Sequence, residues 1–298
     1  MTIKHLVFSG GGPSMIQTLG ALEHLDKTKF IDLNAIETIY GTSAGAIVGA
    51  LLCFKYDWPT LNDYILKRPW LDVFPIKVQT IFDAYAKKGI FDIKTIEKCF
   101  KPLMDAKDIP LNTTLTDFYE YSKIELHLFA FEINNFQLAD ISYLTHPTLP
   151  LLTAMQMTCG IPMLVMPVCI DDKCYIDGGI MCNYPLQFCL ESGKKEDEVL
   201  GFKNQYDATN ESHVHSESTI IDFIMCFLFK IIHNLSITHK QPSIKYEVIC
   251  ATRLISISFF KSSLSTYEAR LELFNSGVDH AKKFLTEQLG EIELESLC

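Results

Sequence analysis

Arginine is scarce in this chain: Arg68, Arg253 and Arg270 are the only three, and acidic side chains exceed basic ones for a formal charge of −10. Gripping a phosphate backbone takes clustered Lys and Arg, so nucleic acid is not an expected partner. The ten cysteines include no CxxC pair, which removes zinc-ribbon and thioredoxin-like readings. Cys53, Cys226 and Cys250 lie in apolar runs and are expected as reduced, buried thiols of a cytoplasmic protein. No acidic run has calcium-loop spacing, and neither a metal nor a cofactor is expected. Met1 to Phe8 is too short, and too soon followed by glycines, for a signal peptide. The long apolar run over 219–237 is broken by Asp222, Lys230 and His233, which argues against a membrane span.

What remains is a globular composition. Over 298 residues, 48% are hydrophobic and 21% charged, enough for the core of one large domain. Residues 3–8 form a short apolar strand that runs into Ser9-Gly10-Gly11-Gly12-Pro13. Ile16, Leu19, Leu22 and Leu25 then repeat at helical spacing. Strand, glycines and helix together offer several N–H groups to an anion. The run lacks the Lys-Ser/Thr of a Walker motif and the spacing of a dinucleotide loop, so a plain turn or an oxyanion hole remains. Because Pro13 has no N–H, such a hole would have to be made by Gly10, Gly11 and Gly12.

Tyr40-Gly41-Thr42-Ser43-Ala44-Gly45 organises the chain. It is a GxSxG element between a strand-like segment, Ile36 to Tyr40, and a small apolar one, Ala46 to Phe54. A strand turning sharply into a helix pushes Ser43 to the tip, and the flanking Gly41 and Gly45 leave room for the turn. Ser43 would then sit at the positive end of the following helix. The plain alternative is a tight turn with Ser43 as a helix cap. A third stretch, Lys173 to Gly179, delivers Asp177 onto the Gly178-Gly179 turn. By itself Asp-Gly-Gly reads as a hairpin turn.

Between these stretches, residues 57–125 read as a helical insertion over one edge of the sheet. Helices are expected near 60–66, 78–87 and 93–104, with Pro102 and Pro110 as breaks. Residues 126–142 read as a hairpin turning at Asn134-Asn135. His127 lies inside its apolar run and is expected as a structural histidine. The run over 219–237 reads first as a buried helix and second as a membrane-docking one. A strand near 246–252 and a helix over about 265–289 close the chain.

Strand-GGG-helix, strand-GTSAG-helix and strand-DGG, in that order, closely resemble the patatin-like phospholipase family. Gly89-Ile90-Phe91-Asp92, the Gly160-Ile161-Pro162 turn and Asn183-Tyr184-Pro185 extend the resemblance, which covers about residues 4–202 well and 203–298 loosely. It implies a single three-layer α/β/α domain over 1–298 with a mainly parallel sheet. It also implies a lipid acyl hydrolase of phospholipase A or lysophospholipase type. Ser43 would be the nucleophile, Asp177 the base, Gly10 to Gly12 the oxyanion hole, and Gly41, Gly45, Gly178 and Gly179 the supports of elbow and turn. The substrate would be a phospholipid or other acyl lipid, met by peripheral contact with a membrane. The need for an activating protein partner stays open.

One departure stands out: where the family carries Arg or Lys and then Gly, this chain has Ser14 and Met15. With the preference for Lys, it is similar to members of the family from large DNA viruses. Two other readings compete. One is an α/β-hydrolase with a Ser-His-Asp triad, its histidine drawn from His213, His215, His233, His239 or His280. The other is a lipid-binding protein on the same fold without turnover.

Overall fold

A computed structural model describes residues 2–75, 86–206, 213–238, 242–253 and 256–295. Its centre is an eight-stranded sheet in the order β10-β9-β1-β2-β4-β8-β7, with β5 paired to β4. The strands are β1 (His5–Phe8), β2 (Thr38–Thr42), β4 (Glu125–Glu132), β5 (Gln137–Ile141), β7 (Val168–Ile170), β8 (Lys173–Asp177), β9 (Val199–Tyr206) and β10 (Tyr246–Thr252). From β10 to β4 all neighbours run parallel, and β5, β8 and β7 are antiparallel additions. A separate pair joins β3 (Gly89–Phe91) to β6 (Met163–Val165).

The apolar runs read from the sequence are the central strands. In β1, Leu6 and Phe8 join the larger core on one face of the sheet, while Val7 points to the other, with Tyr40 and Phe129. This alternation is the two-residue period of a strand, and helices cover both faces, so every β1 residue is buried. On the larger face lie α1 (Met15–Lys27), α2 (Ala44–Cys53), α7 (Leu151–Thr158) and α11 (Tyr267–Glu295). On the other, α8 (Leu186–Glu191) packs Leu186 and Cys189 against Tyr40 and Val199. The result is the three-layer α/β/α arrangement with a mainly parallel sheet.

The insertion holds α3 (Trp58–Asn62), a π-turn over Asp63–Lys67, α4 (Trp70–Val73), α5 (Ile93–Asp105) and α6 (Leu115–Ser122). The helix expected near 78–87 falls largely outside the described residues. Pro102 does not break its helix, contrary to expectation. Proline leaves the Lys98 carbonyl without its helical donor, and the Arg68 guanidinium donates to that carbonyl at 2.7 Å instead.

The thiol expectation also needs correction. Cys53 and Cys250 are buried as expected, but Cys226 is only half-buried, and Cys169 and Cys174, which stand opposite each other across β7 and β8 with Cα atoms 4.1 Å apart, are joined as a disulfide.

Candidate active site

Ser43 is the single residue between the end of β2 and the start of α2. Its φ of 53° and ψ of −121° lie outside the regions that non-glycine residues ordinarily occupy. Such a conformation persists only where its surroundings enforce it. A Cβ on Gly45 would stand 2.5 Å from the Phe8 carbonyl oxygen, and one on Gly41 2.7 Å from the Ala46 nitrogen, so neither position accepts a side chain. The Ser43 N–H donates to Thr158 Oγ1 at 2.9 Å, and the Thr158 hydroxyl donates to the Phe129 carbonyl at 2.6 Å. Thr158 thereby ties the turn to β4.

Strand register brings Asp177 to this turn. β2 runs alongside β4 until Thr42 faces Phe129, and β8 comes the other way until Asp177 faces Ala130. β5 pairs with the same β4 residues as β8 and overlaps the pairing of β2, so it occupies the opposite edge. The two strands therefore meet head to head beside consecutive β4 residues, with Ser43 on one end and Asp177 on the other. Gly178 closes the approach: a Cβ there would lie 2.3 Å from the Phe129 carbonyl oxygen.

Asp177 is buried, and its two oxygens differ. Oδ1 accepts the Gly179 N–H at 2.7 Å, while Oδ2 has no partner within hydrogen-bond distance among the described residues. Burial pushes the carboxyl from 3.8 up to about 6, against the opposing pull of the neighbouring Ser43 hydroxyl and the Gly179 N–H. A basic carboxylate with one open oxygen beside a serine can take a proton from it. Cys159 is buried at the same place, its thiol held protonated by burial and by the Asp177 charge.

On the glycine loop, the Gly10 N–H donates to the Asn183 carbonyl at 2.9 Å and is not available as an anion donor. Gly12 opens a 3-10 turn at φ 54°, in the left-handed region that favours glycine. The N–H groups of Gly11 and Gly12 have no partner among the described residues. Ser14 is fully buried and its hydroxyl bonds that of Thr252 on β10, so it faces away from Ser43. Met15 turns into an apolar cavity.

That cavity, of ≈170 Å³, starts at Ser43 and Gly12 and is walled almost wholly by hydrocarbon. Much of its wall comes from the insertion, through Tyr64, Trp70, Phe91 and Phe100; Phe260 and Leu264 of α10 (Ile257–Ser265) add to it. A second, small space of ≈20 Å³ lies between Ser43, Gly11 and Asp177 and the side chains of Leu228, Phe229 and Ile232. These belong to α9 (Ile220–Thr238), the apolar run expected first as a buried helix. It is instead a cover. Met225 and Phe229 pack inward on Leu164, while Ile220, Phe223 and Phe227 are 67%, 49% and 58% exposed. No described helix is long and apolar enough to cross a membrane.

Histidine is absent from the described lining of both spaces that Ser43 borders. His127 is held between Asp140 at 2.8 Å and Glu125 at 2.7 Å and stacks on Tyr40. Burial favours its neutral form, but the two carboxylates outweigh it and raise the pKa. His213 and His215 are exposed, and His280 accepts the Ala251 N–H at 3.3 Å. The His233 side chain and all of His239 lie outside the described residues. Sequence reasoning missed Thr158, Cys159 and Asn204 as neighbours of the site, since nothing in their local sequence signals it.

A family model described as patatin-like phospholipase matches residues 6–190. The chain is 26% identical over 219 residues to a probable lipid hydrolase, 463L, of Invertebrate iridescent virus 6, covering 71% of this chain and 73% of that one. It is 29% identical over 189 residues to the uncharacterized protein R571 of Acanthamoeba polyphaga mimivirus, covering 62% and 60%. Among solved structures, VipD from Legionella pneumophila superposes with a TM-score of 0.59 at 18% identity, over 96% of this chain and 67% of VipD.

Proposed function

The chain belongs to the patatin-like phospholipase family and is a hydrolase of lipid esters, and we propose that it works through a Ser43-Asp177 dyad that releases a fatty acid from a phospholipid or lysophospholipid. The observation that carries this is the head-to-head meeting of β2 and β8, which sets Ser43 beside a buried carboxylate with one unoccupied oxygen.

Asp177 accepts the Ser43 proton as Oγ adds to the ester carbonyl. The oxyanion is met by the N–H groups of Gly11 and Gly12 and by the positive end of α2. Each backbone donor of this kind is worth roughly 2.7–4 kcal/mol. Collapse breaks the ester bond, the departing alcohol takes the proton back from Asp177, and the acyl group stays on Ser43. Water then adds to the acyl-enzyme, giving its proton to Asp177, and fatty acid leaves as that proton returns to Ser43. A carboxyl raised to about 6 is mostly ionised at neutral pH and is a stronger base than an ordinary aspartate. The hydrocarbon-walled cavity receives the acyl chain. The exposed face of α9 meets the lipid surface, consistent with peripheral contact.

The test is fatty-acid release from mixed phospholipid vesicles, with excess chelator, by the wild type, Ser43→Ala and Asp177→Asn, beside labelling of Ser43 by a fluorophosphonate. Release by the wild type alone supports the dyad. Full activity of Asp177→Asn, with loss on replacing a histidine, would restore the triad. A folded wild type that neither releases fatty acid nor takes the label would point to binding without turnover or to a missing activator.

A further inference from the structure

A run of three glycines does not hold its own peptide planes. Each can rotate at little steric cost, and a half-turn of the Gly10–Gly11 plane would replace an N–H at the oxyanion with a carbonyl oxygen, which repels it. Something outside the loop must set that plane.

The structure provides two amides for the purpose. The Gly10 carbonyl accepts from Asn204 Nδ2 at 2.9 Å and from Asn183 Nδ2 at 3.1 Å. A carbonyl oxygen has two acceptor sites, so both are filled. The peptide is trans, as all described ones are, and in a trans plane the C=O and the next N–H point in opposite directions. Holding the Gly10 oxygen therefore aims the Gly11 N–H away from the amides, and that N–H has no other partner among the described residues. Gly11 borders the same small space as Ser43 and Asp177.

Both asparagines are themselves held. The Asn204 N–H donates to Ser9 Oγ at 3.2 Å, and the Asn183 carbonyl accepts the Gly10 N–H at 2.9 Å. The fit is close: a Cβ on Gly11 would stand 2.2 Å from Asn204 Nδ2, and one on Gly10 2.5 Å from Asn183 Oδ1. Asn183 also touches the Asp177 turn, its Oδ1 lying 2.9 Å from where a Gly179 Cβ would be.

We infer that Asn204 and Asn183 are positioning residues of the oxyanion hole, which clamp the Gly10 carbonyl and so present the Gly11 N–H to the tetrahedral intermediate on Ser43. The inference rests on the dyad reading above. Asn204 carries the cleaner test, because it lies away from the Asp177 turn.

Asn204→Asp keeps the size of the side chain but replaces the donor with an acceptor. On a water-soluble short-chain p-nitrophenyl ester, kcat should fall by about tenfold to a thousandfold while KM changes less than about twofold, since the Gly11 bond strengthens only in the transition state. The rate of Ser43 labelling by a small fluorophosphonate should fall in parallel. Asn204→Ser, whose hydroxyl is too short to reach Gly10, should give the same split and serves if the Asp variant does not fold. Unchanged kcat in a folded variant, or a raised KM at constant kcat, would overturn the clamp. Turnover that survives Ser43→Ala would instead overturn the dyad, whatever the Asn204 variants do.

Discussion

Asp177→Asn should make the protein more stable while abolishing turnover. In the folded protein the Asp177 carboxyl titrates at about 6 rather than 3.8, because burial penalises its charge. The folded state thus binds this proton more tightly than the unfolded chain. Its contribution is fully present below pH 3.8 and is lost as pH rises to about 6 and beyond. At about 1.4 kcal/mol for each tenfold change in acidity, the ionised carboxylate costs the fold about 3 kcal/mol above pH 6. Asparagine has the same shape, keeps an oxygen for the Gly179 N–H, and carries no charge at any pH. The stability gained by the variant should therefore rise by roughly 1.4 kcal/mol per pH unit from pH 4 and level off near 3 kcal/mol above pH 6. Urea denaturation of both proteins at fixed pH values between 4.5 and 8 measures it. A difference that does not vary over that range would refute a strained, buried base, and with it the idea that the site gives up stability for activity.

The same ionisation should appear in the rate: kcat/KM on a soluble ester should rise with pH through a single midpoint near 6, and a flat profile from pH 5 to 7.5 would remove Asp177 as the base. The two faces of α9 should behave differently. Phe223→Ser with Phe227→Ser should weaken binding to phospholipid vesicles and leave the fold intact, whereas Phe229→Ser should cost about 3 kcal/mol of stability, since Phe229 is buried against Leu164. Equal vesicle binding by wild type and the outer-face pair would place the lipid contact elsewhere. Ile96→Phe, which fills part of the apolar cavity, should lower turnover of long-chain esters about tenfold relative to short ones; unchanged chain-length preference would mean that the acyl chain lies outside the cavity.

The three motifs were legible because each is a short-range pattern. Gly41 and Gly45 mark a turn too tight for side chains, the run before Gly10 marks a buried strand, and the Asp177 turn follows a strand in the same way. The fold class followed from the strand-turn-helix units at Gly10 and Ser43 and from the family resemblance that the three motifs carry. Less local features were read less well. Pro102 looked like a break because its compensating donor, Arg68, is distant in sequence. The pairing of Cys169 with Cys174 was not read at all, because their opposition depends on strand register. The apolar run over 219–237 looked like core because composition does not say whether a neighbour covers every face; here α9 packs Met225 and Phe229 on Leu164 and leaves Ile220, Phe223 and Phe227 exposed.

Residue identity alone therefore determined which groups can do the chemistry: a serine on a forced turn, an aspartate on a glycine turn, and a loop rich in backbone donors. Tertiary structure decided how they are used. Only the register of β4 sets β2 against β8 and brings Ser43 to Asp177, across 134 positions of sequence. Packing withdraws water from that carboxylate, and Asn183 and Asn204, from two other segments, reach the Gly10 carbonyl. Such contacts depend on which surfaces meet when the chain closes, and no local pattern carries that information.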